Sequence, residues 1–391
     1  MPARNLLRAR DGHHAPVSFA ELFFDLVFVF AITQLSHSLI EHPSPMGFIQ
    51  TGMLFLAVWW SWIDTAWCTN WLDPQRAPVR LMLFALMACG LAMSIAIPHA
   101  FGDRAAMFAI GYSAMQVGRS LYMMAALRRH DRANYINFIR ITIWAAAGAA
   151  LWLAGGFASP EARLWFWAAA LLLDTSAPAM GFRVPGLGVS TSADWAVEGG
   201  HVAERCGLFV IIALGESILI TGATFGAMPW TTAVLLGFAS AFLATVAMWW
   251  VYFNLGAERG SKHIAHSDDP GAIARLAYTY LHLPIGAGIV LTAASDEMVL
   301  AHPDGHADPL TAFCLVGGPG LYLLGNLLFK RAIGGSFPQS HLAGLALSVV
   351  LGGWAALGHP SPLTLSLGST AILIVVAIWE TAAARSPKLA E

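Results

Sequence analysis

Charged residues are scarce in this sequence, since Asp, Glu, Lys and Arg make up only 11% of its 391 residues. Soluble globular proteins carry about 25% charged residues. The scarcity excludes intrinsic disorder and a nucleic-acid-binding module, because both need many exposed charges. The sequence has four cysteines and no C-x-x-C pair, which excludes a disulfide framework. Phosphate loops, dinucleotide fingerprints and zincin motifs are also missing, so we expect no enzyme, no cofactor and no metal site.

Apolar residues take the place of the missing charges, at 57% of the chain with a mean hydropathy of +0.63. A helix needs about 20 apolar residues to cross a bilayer, and twelve segments of the sequence meet this requirement. The predicted spans are 20–40, 47–67, 80–98, 105–127, 137–157, 162–181, 201–224, 231–254, 273–294, 310–329, 340–357 and 363–382. The segment 162–181 is the least regular, because Asp174 and Pro178 interrupt its apolar run.

The positions of Arg and Lys test this count, because cytoplasmic loops of membrane proteins hold more of these residues than outer loops do. With the N-terminus inside, only Arg104 and Arg163 fall in outer loops, while Arg119 and Arg205 fall inside spans. All other Arg and Lys residues then lie on the cytoplasmic side. We therefore predict an all-α polytopic membrane protein with about twelve transmembrane helices and both termini cytoplasmic.

Matching motifs occur in the same order in the two halves of the chain. Residues 59–64 at the end of span 2 resemble 249–254 at the end of span 8, and Gly111 of span 4 matches Gly318 of span 10. We predict two tandem six-helix repeats. The predicted domains are a cytoplasmic tail (1–19, too polar for a cleavable signal peptide), a first repeat (20–181), a linker (182–200), a second repeat (201–382) and a second tail (383–391).

Ionisable side chains inside a membrane span cost about 2.5–3.5 kcal/mol each at a helix centre, so each of them needs a reason. Glu21 and Asp25 lie one helical turn apart and share a face of span 1. Glu216 is the deepest acid, about halfway along span 7. The candidate transport or ion-binding residues are Glu21, Asp25, Asp64, Arg119, Asp174, Glu204, Arg205 and Glu216.

Structural roles compete with transport for these residues. For Glu21 an anchoring role at the helix end is favoured, whereas for Glu216 a functional role is favoured. Arg119 is the single cation among the acids of the first repeat, so we expect it to pair with Asp25 or Asp174. The sequence leaves two roles open for these three residues, which are a structural ion network and a transport pathway.

Three other groups carry simpler expectations. An interfacial aromatic belt is expected to account for most of Trp59, Trp60, Trp62, Trp67 and Trp71. The segment 295–309 is expected to be a solvated outer loop, acidic through Asp296, Glu297, Asp304 and Asp308. His282, beside Pro284 in span 9, is expected to be a packing residue whose ring nitrogens are hydrogen-bonded.

Two long motifs resemble those of a known family. The segment 21–30, ELFFDLVFVF, is similar to the opening helix of the bacterial low temperature requirement A proteins, and 204–217, ERCGLFVIIALGES, resembles the second signature of that family. The resemblance implies a multipass bacterial membrane protein linked by name to growth in the cold. It supports Glu21, Asp25, Glu204, Arg205, Gly215 and Glu216 as family features and assigns chemistry to none. Phe23-Phe24-Asp25 also faintly resembles the Phe-Ser-Asp of two-repeat potassium channels.

Three functions are therefore open for a protein of the bacterial cytoplasmic membrane. The first is a proton- or cation-coupled transporter of a small solute or ion, with Asp25 and Glu216 as carriers and Arg119 and Arg205 as their counter-charges. The second is a cation channel, and the third is a non-transporting membrane factor or scaffold that supports growth in the cold. The expected partners are the lipid bilayer and the transported solute or ion, and no nucleic acid is expected. The sequence leaves open whether the chain forms a homo-oligomer.

Overall fold

The computed structural model describes residues 5–9, 15–191, 195, 197–254 and 256–385. The long helices are α1 (Phe19–Glu41), α2 (Pro45–Trp71), α3 (Ala77–Ala96), α4 (Ala105–Leu127), α5 (Arg132–Phe157), α6 (Pro160–Ser176), α7 (Gly199–Ala227), α8 (Thr232–Phe253), α11 (His282–Ala301), α12 (Pro309–Gly334), α13 (Gln339–Gly358) and α14 (Pro362–Arg385). Shorter elements are a 3₁₀ turn (Ile97–His99), α9 (Gly256–Ala265), α10 (Pro270–Ile273) and a π-helical run (Ala274–Tyr280). Over the described ranges the only β pairings are two isolated bridges, so the all-α prediction is confirmed there.

Each predicted span overlaps one of the long helices, and ten segments of the described chain are long and apolar enough to cross a membrane. The helices α4 and α6 are not among these ten. The helix α4 carries Gln116 and Arg119, and α6 has 17 residues. The predicted tails 1–19 and 383–391 and the linker 182–200 lie partly outside the described residues. The predicted domain boundaries therefore stay predictions.

Proline and short polar side chains begin many of these helices. Pro160 and Pro309 occupy the first turns of α6 and α12, where the missing amide hydrogen costs nothing. The side chains of Ser159 and Asp308 accept hydrogen bonds from the free amides of the same two turns. The same residues that interrupt the apolar runs in the sequence thus start the next helix.

The chain divides into two compact units. Unit 1 contains residues 1–38, 45–205 and 267–275, and unit 2 contains residues 39–44, 206–266 and 276–391. The boundary in the middle of the chain falls inside α7, between Arg205 and Cys206.

Aromatic side chains fill the interior of unit 1. Trp152 of α5 packs against Tyr112 of α4 and Trp167 of α6, with ring centroids 4.6 and 5.1 Å apart. On α2, Trp59 and Trp62 are fully buried, so the expectation of an interfacial belt is wrong for these two. A belt places indoles at the membrane surface, whereas these two rings pack against each other inside the unit, tilted by 37° with centroids 5.3 Å apart.

Unit 2 also has an aromatic interior. The ring of His282 lies 4.7 Å from that of Phe329 and stacks on Tyr278. Tyr252 contacts the Nε2 atom of His282 at 2.7 Å, and the Nδ1 atom lies 2.8 Å from the carbonyl of Ala277. Both ring nitrogens are therefore hydrogen-bonded, which confirms the expectation for His282.

The predicted outer loop 295–309 is wrong over its first part, because α11 continues to Ala301. Asp296 is only 3% exposed and lies in this helix, with its Oδ2 atom lacking a hydrogen-bond partner among the described residues. The prediction ended this helix where the apolar run ends, which is too early because a buried helix face can include an acidic residue. Asp304 and Asp308 do lie beyond the helix.

Candidate functional site

Glu21 lies in the first turn of α1, where its carboxylate binds three neighbours in unit 1. One oxygen accepts hydrogen bonds from the backbone amide and hydroxyl of Ser18 at 2.8 and 2.9 Å and from Arg8 at 3.0 Å. The other oxygen lies 2.9 Å from Nε2 of His201. Ser18 and Glu21 form a capping box, in which each side chain binds the backbone amide of the other. Glu21 thus helps to cap the start of α1 and also binds the guanidinium of Arg8 and the imidazole of His201.

The start of α7 is fixed to the end of α2 next to this carboxylate. Asn70 of α2 donates to the carbonyl of Glu198 at 2.8 Å and accepts from the amide of the same residue at 2.9 Å. The Glu198 carboxylate in turn accepts from the amide of His201. Arg8 donates to the carbonyls of Thr69 and Leu72 at the end of α2. Helices α1, α2 and α7 therefore meet around one buried polar centre.

One helical turn further along α1, Asp25 forms an ion pair with Arg205 of α7. Two guanidinium nitrogens donate to the two carboxylate oxygens at 2.8 Å each, which is the strong, bidentate geometry. The indole of Trp62 donates a third hydrogen bond to Asp25 at 2.9 Å, and the guanidinium lies 5.4 Å from the Trp62 ring centroid. The side chains of this pair are 1% and 0% exposed, so it faces neither lipid nor solvent.

Arg119 of α4 binds Asp64 of α2 at 3.1 Å. Its guanidinium also donates to the hydroxyl of Thr65 at 3.1 Å and to the carbonyl of Ser61 at 3.2 Å. The expectation that Arg119 pairs with Asp25 or Asp174 is therefore wrong. Asp25 is already bound by Arg205, and one face of α2 presents three oxygen acceptors to Arg119.

Asp174 of α6 is joined to Asp64 by a chain of hydrogen bonds. Gln116 donates from its Nε2 to Asp64 at 3.1 Å and to the hydroxyl of Tyr112 at 3.1 Å. Tyr112 donates to Asp174 at 2.8 Å, and the indole of Trp152 donates to the same oxygen at 3.0 Å. Among the described residues no cation forms an ion pair with Asp174. Asp174 is 8% exposed and the Asp64 side chain 32%, so the chain connects a buried acid to a half-exposed one.

Glu204 and Glu216 lie apart from these clusters along α7. Glu204 is exposed, and its carboxylate accepts a hydrogen bond from the amide of Val17 at 3.1 Å. Glu216 is 2% exposed and takes part in interactions within the chain. No group of three or more His, Cys, Asp or Glu suited to a metal ion occurs in the described ranges.

Comparison with known proteins places these clusters in a family. The family described as Bacterial low temperature requirement A protein (LtrA) matches residues 16–378. The chain belongs to the LtrA family. It is 40% identical over 381 residues to a Rhizobium meliloti (strain 1021) protein named Uncharacterized protein RA0937, which covers 96% of this chain and 91% of that protein. No solved structure matches significantly.

Membership of the LtrA family and the apolar helices together indicate a multi-pass membrane protein. The two motifs that carried the resemblance meet in unit 1, because the Asp25 of the first motif binds the Arg205 of the second. The buried centre of this LtrA protein is thus built from the two most recognisable parts of its sequence.

Several residues of the LtrA site were not predicted from the sequence. The spacing of Ser18 and Glu21 is a capping-box signal that could have been found. Tyr112 and Trp62 gave no signal, because a single polar atom on an aromatic ring is hidden in an apolar run. Arg8 lies in a polar segment before the first span. Nothing in the sequence pattern indicates that this segment contacts the end of α2.

Proposed function

We propose that this LtrA-family protein is a non-catalytic carrier of the bacterial cytoplasmic membrane, which couples movement of a small solute or ion to a proton or cation. Its partners are the lipid bilayer and the transported species, and nucleic acid is not among them. The observation that carries the proposal is the hydrogen-bonded chain from the half-exposed Asp64 to the buried Asp174.

Protonation of Asp174 has a direct structural consequence in this chain. The ionised carboxylate accepts from both Tyr112 and Trp152. A protonated carboxyl gains a donor and its remaining oxygen becomes a weaker acceptor, so the bond from Tyr112 weakens. Tyr112 lies on α4 and Asp174 on α6. Gain of a proton or binding of a cation therefore changes how these two helices are held together, which is the kind of two-state element that alternating access requires.

The burial of Asp25 and Arg205 bears on the choice among functions. A channel needs a continuous wet path, whereas this pair is sealed on all sides. We therefore favour a carrier in an occluded state over a channel. A buried ion pair contributes little net stability compared with apolar side chains of similar size, so its presence in a membrane helix also favours a role in the mechanism.

The test is proton flux into liposomes that contain the purified full-length protein and the pH-sensitive dye pyranine. A pH gradient is imposed with Na⁺, with K⁺ or with neither, and the rate of lumenal acidification is measured. We expect flux above that of empty liposomes for the wild type and flux equal to empty liposomes for Asp174→Asn. The matched control is Glu258→Gln, because Glu258 is an exposed acid paired with Lys262. Undiminished flux in Asp174→Asn would contradict the proposal.

A second candidate is a non-transporting membrane factor, and the packing around Glu21 favours it. Glu21 caps α1 and ties Arg8 and His201 together, which is what a structural role needs. If the wild type moves no protons under any of these gradients and the Asp174→Asn variant restores growth in the cold to a deletion strain, this second function replaces the first.

We further propose that all twelve long helices cross the membrane, as two six-helix repeats with both termini cytoplasmic. Two matched glycines support the repeat. A Cβ on Gly111 of α4 would lie 2.9 Å from the backbone of α3, and one on Gly318 of α12 would lie 2.9 Å from the backbone of α11. Each glycine thus permits close approach to the helix before it.

Labelling of single cysteines in a cysteine-free background tests this topology. Glu161→Cys and Pro185→Cys place exposed thiols on either side of α6. We expect an impermeant maleimide added to intact cells to label the first and not the second. Labelling of both, or of neither, would mean that α6 does not cross.

A further inference from the structure

A groove in unit 2 runs between α8 and α14 and has a volume of about 410 Å³. Such a volume lies within the range of small-molecule sites, about 300–1,000 Å³. Its lining residues are Leu243, Val246, Ala247, Trp250, Ile374, Ala377, Ile378, Thr381, Ala382 and Arg385.

The groove is apolar along its length and polar at one end. The small buried residues Ala247 and Ala377 form its floor, and exposed aliphatic side chains such as Val246 form its walls. At the polar end, the hydroxyl of Thr381 accepts from the indole of Trp250 at 2.9 Å. Arg385 follows one turn later on α14. The surface therefore matches a molecule with an apolar tail and a polar head.

No ion pair neutralises the charge at the polar end within the part of the chain that the structure describes. Arg385 is exposed and, among the described residues, forms no ion pair. Lys330 differs, because Glu380 binds it at 2.6 Å. A free guanidinium beside an apolar groove favours an anion, and phosphate is an anion that arginine binds well.

The length of the groove fits one leaflet of a bilayer. From Ile374 to Arg385 the helix rises about 16 Å at 1.5 Å per residue, and half of a hydrocarbon core is about 15 Å. The exposed indole of Trp250 at the same end as Arg385 is typical of the headgroup level. An acyl chain in the groove would thus place its phosphate next to Arg385.

We propose that the groove between α8 and α14 binds an anionic phospholipid, with one acyl chain between the helices and the phosphate on Arg385. This site is independent of the proposed transport function. Each Lys or Arg near a membrane surface contributes attraction to anionic lipid that corresponds to about a fivefold change in affinity.

Native mass spectrometry of the full-length protein in detergent tests the proposal, with phosphatidylglycerol and phosphatidylcholine of identical acyl chains as the probes. We expect the wild type to retain phosphatidylglycerol about fivefold more tightly and Arg385→Gln to lose that preference. Val246→Trp, which fills the groove, should weaken binding of both lipids.

Matched controls change the same properties elsewhere in unit 2. Arg331→Gln removes an exposed arginine at the end of α12, and Val349→Trp adds an indole at a 75% exposed position of α13. Both should bind lipid as the wild type does. An unchanged preference in Arg385→Gln would overturn the proposal. A dimer that Val246→Trp dissociates would also overturn it, because a second copy of the chain would then be the occupant.

Discussion

Each unit contains a buried ion pair between two long helices, and the two pairs differ in their surroundings. In unit 1 the Asp25 and Arg205 side chains are 1% and 0% exposed, whereas in unit 2 those of Lys330 and Glu380 are 8% and 14% exposed. Asp25 also receives a bond from Trp62. The unit 1 pair is therefore more completely removed from water, and each partner depends more strongly on the other.

Two positions that are charged in unit 1 are neutral at the places that the predicted repeat matches to them in unit 2. Asn254, which matches Asp64, donates to Thr381 at 3.1 Å. Asn326 lies eight residues after Gly318, as Arg119 lies eight residues after Gly111, and it donates to the carbonyl of Tyr322 at 3.0 Å. If the halves arose by duplication, these two positions have stayed polar and lost their charge.

The largest expected effect is the loss of the unit 1 cation. Arg205→Ala leaves the Asp25 carboxylate buried without a counter-charge, which costs about 3–5 kcal/mol. Lys330→Ala should cost less, about 1–3 kcal/mol, because Glu380 is closer to solvent. Thermal unfolding of the purified protein in detergent, followed by size-exclusion chromatography, measures the difference.

Removal of both partners is the control for this experiment. Arg205→Ala combined with Asp25→Ala should recover much of the lost stability, since no unpaired charge then remains. If the single variants of the two units lose equal stability, the proposed difference between the two ion pairs is wrong.

The next effect concerns the partner of Arg119. A double-mutant cycle between Arg119→Ala and Asp64→Ala should give a coupling of about 1–2 kcal/mol, because the two side chains are in direct contact. The same cycle with Asp25→Ala should give a coupling close to zero. A larger coupling with Asp25 than with Asp64 would show that Arg119 pairs with Asp25 instead of Asp64.

The sequence predicts the helices of this protein well, because membrane crossing imposes a length and an apolar composition. The predicted span 105–127 has the same limits as α4. The acidic end of α11 was missed for the same reason. A hydropathy argument ends a helix at the first acids, whereas Asp296 is buried within the helix.

The partners of the charged residues could be predicted only in part. Helical spacing placed Glu21 and Asp25 on one face, but the partner of each depends on which helices pack together. Arg119 faces α2 rather than α1 or α6, and no spacing within α4 indicates this. Long-range pairs such as Asp25 with Arg205, 180 residues apart, require the fold itself.

An effect smaller than that of Arg205→Ala is expected from two tyrosine hydroxyls. Tyr112→Phe removes a donor to the Asp174 carboxylate and should cost about 1.5–3 kcal/mol, the range for hydrogen bonds to charged groups. Tyr252→Phe removes the neutral bond to His282 and should cost about 1 kcal/mol. Chemical denaturation in mixed micelles measures both. Equal losses would indicate that Asp174 is protonated in the folded protein.

The smallest effect comes from helix caps, which the two units share. The side chain of Asp131 caps α5 in unit 1, and that of Asp308 caps α12 in unit 2. Replacement of either by alanine should cost about 1 kcal/mol, as measured by the same unfolding assay. A much larger loss in one unit would mean that the difference between the units extends beyond their buried charges.

The Asp308 cap also gives a dependence on pH. Partial burial alone would raise the pKa of Asp308, but hydrogen bonds from the side chain and amide of Thr311 and the amide of Leu310 outweigh it and lower this pKa. Because the folded pKa lies below the unfolded value of about 3.9, the charged cap stabilises the protein at neutral pH and this contribution fades as the pH falls below about 4. The stability difference between the wild type and Asp308→Asn should therefore stay nearly constant from about pH 7 to pH 5 and narrow as the pH falls below about 4, whereas a constant difference over the whole range would mean that the charge of Asp308 does not contribute to the cap.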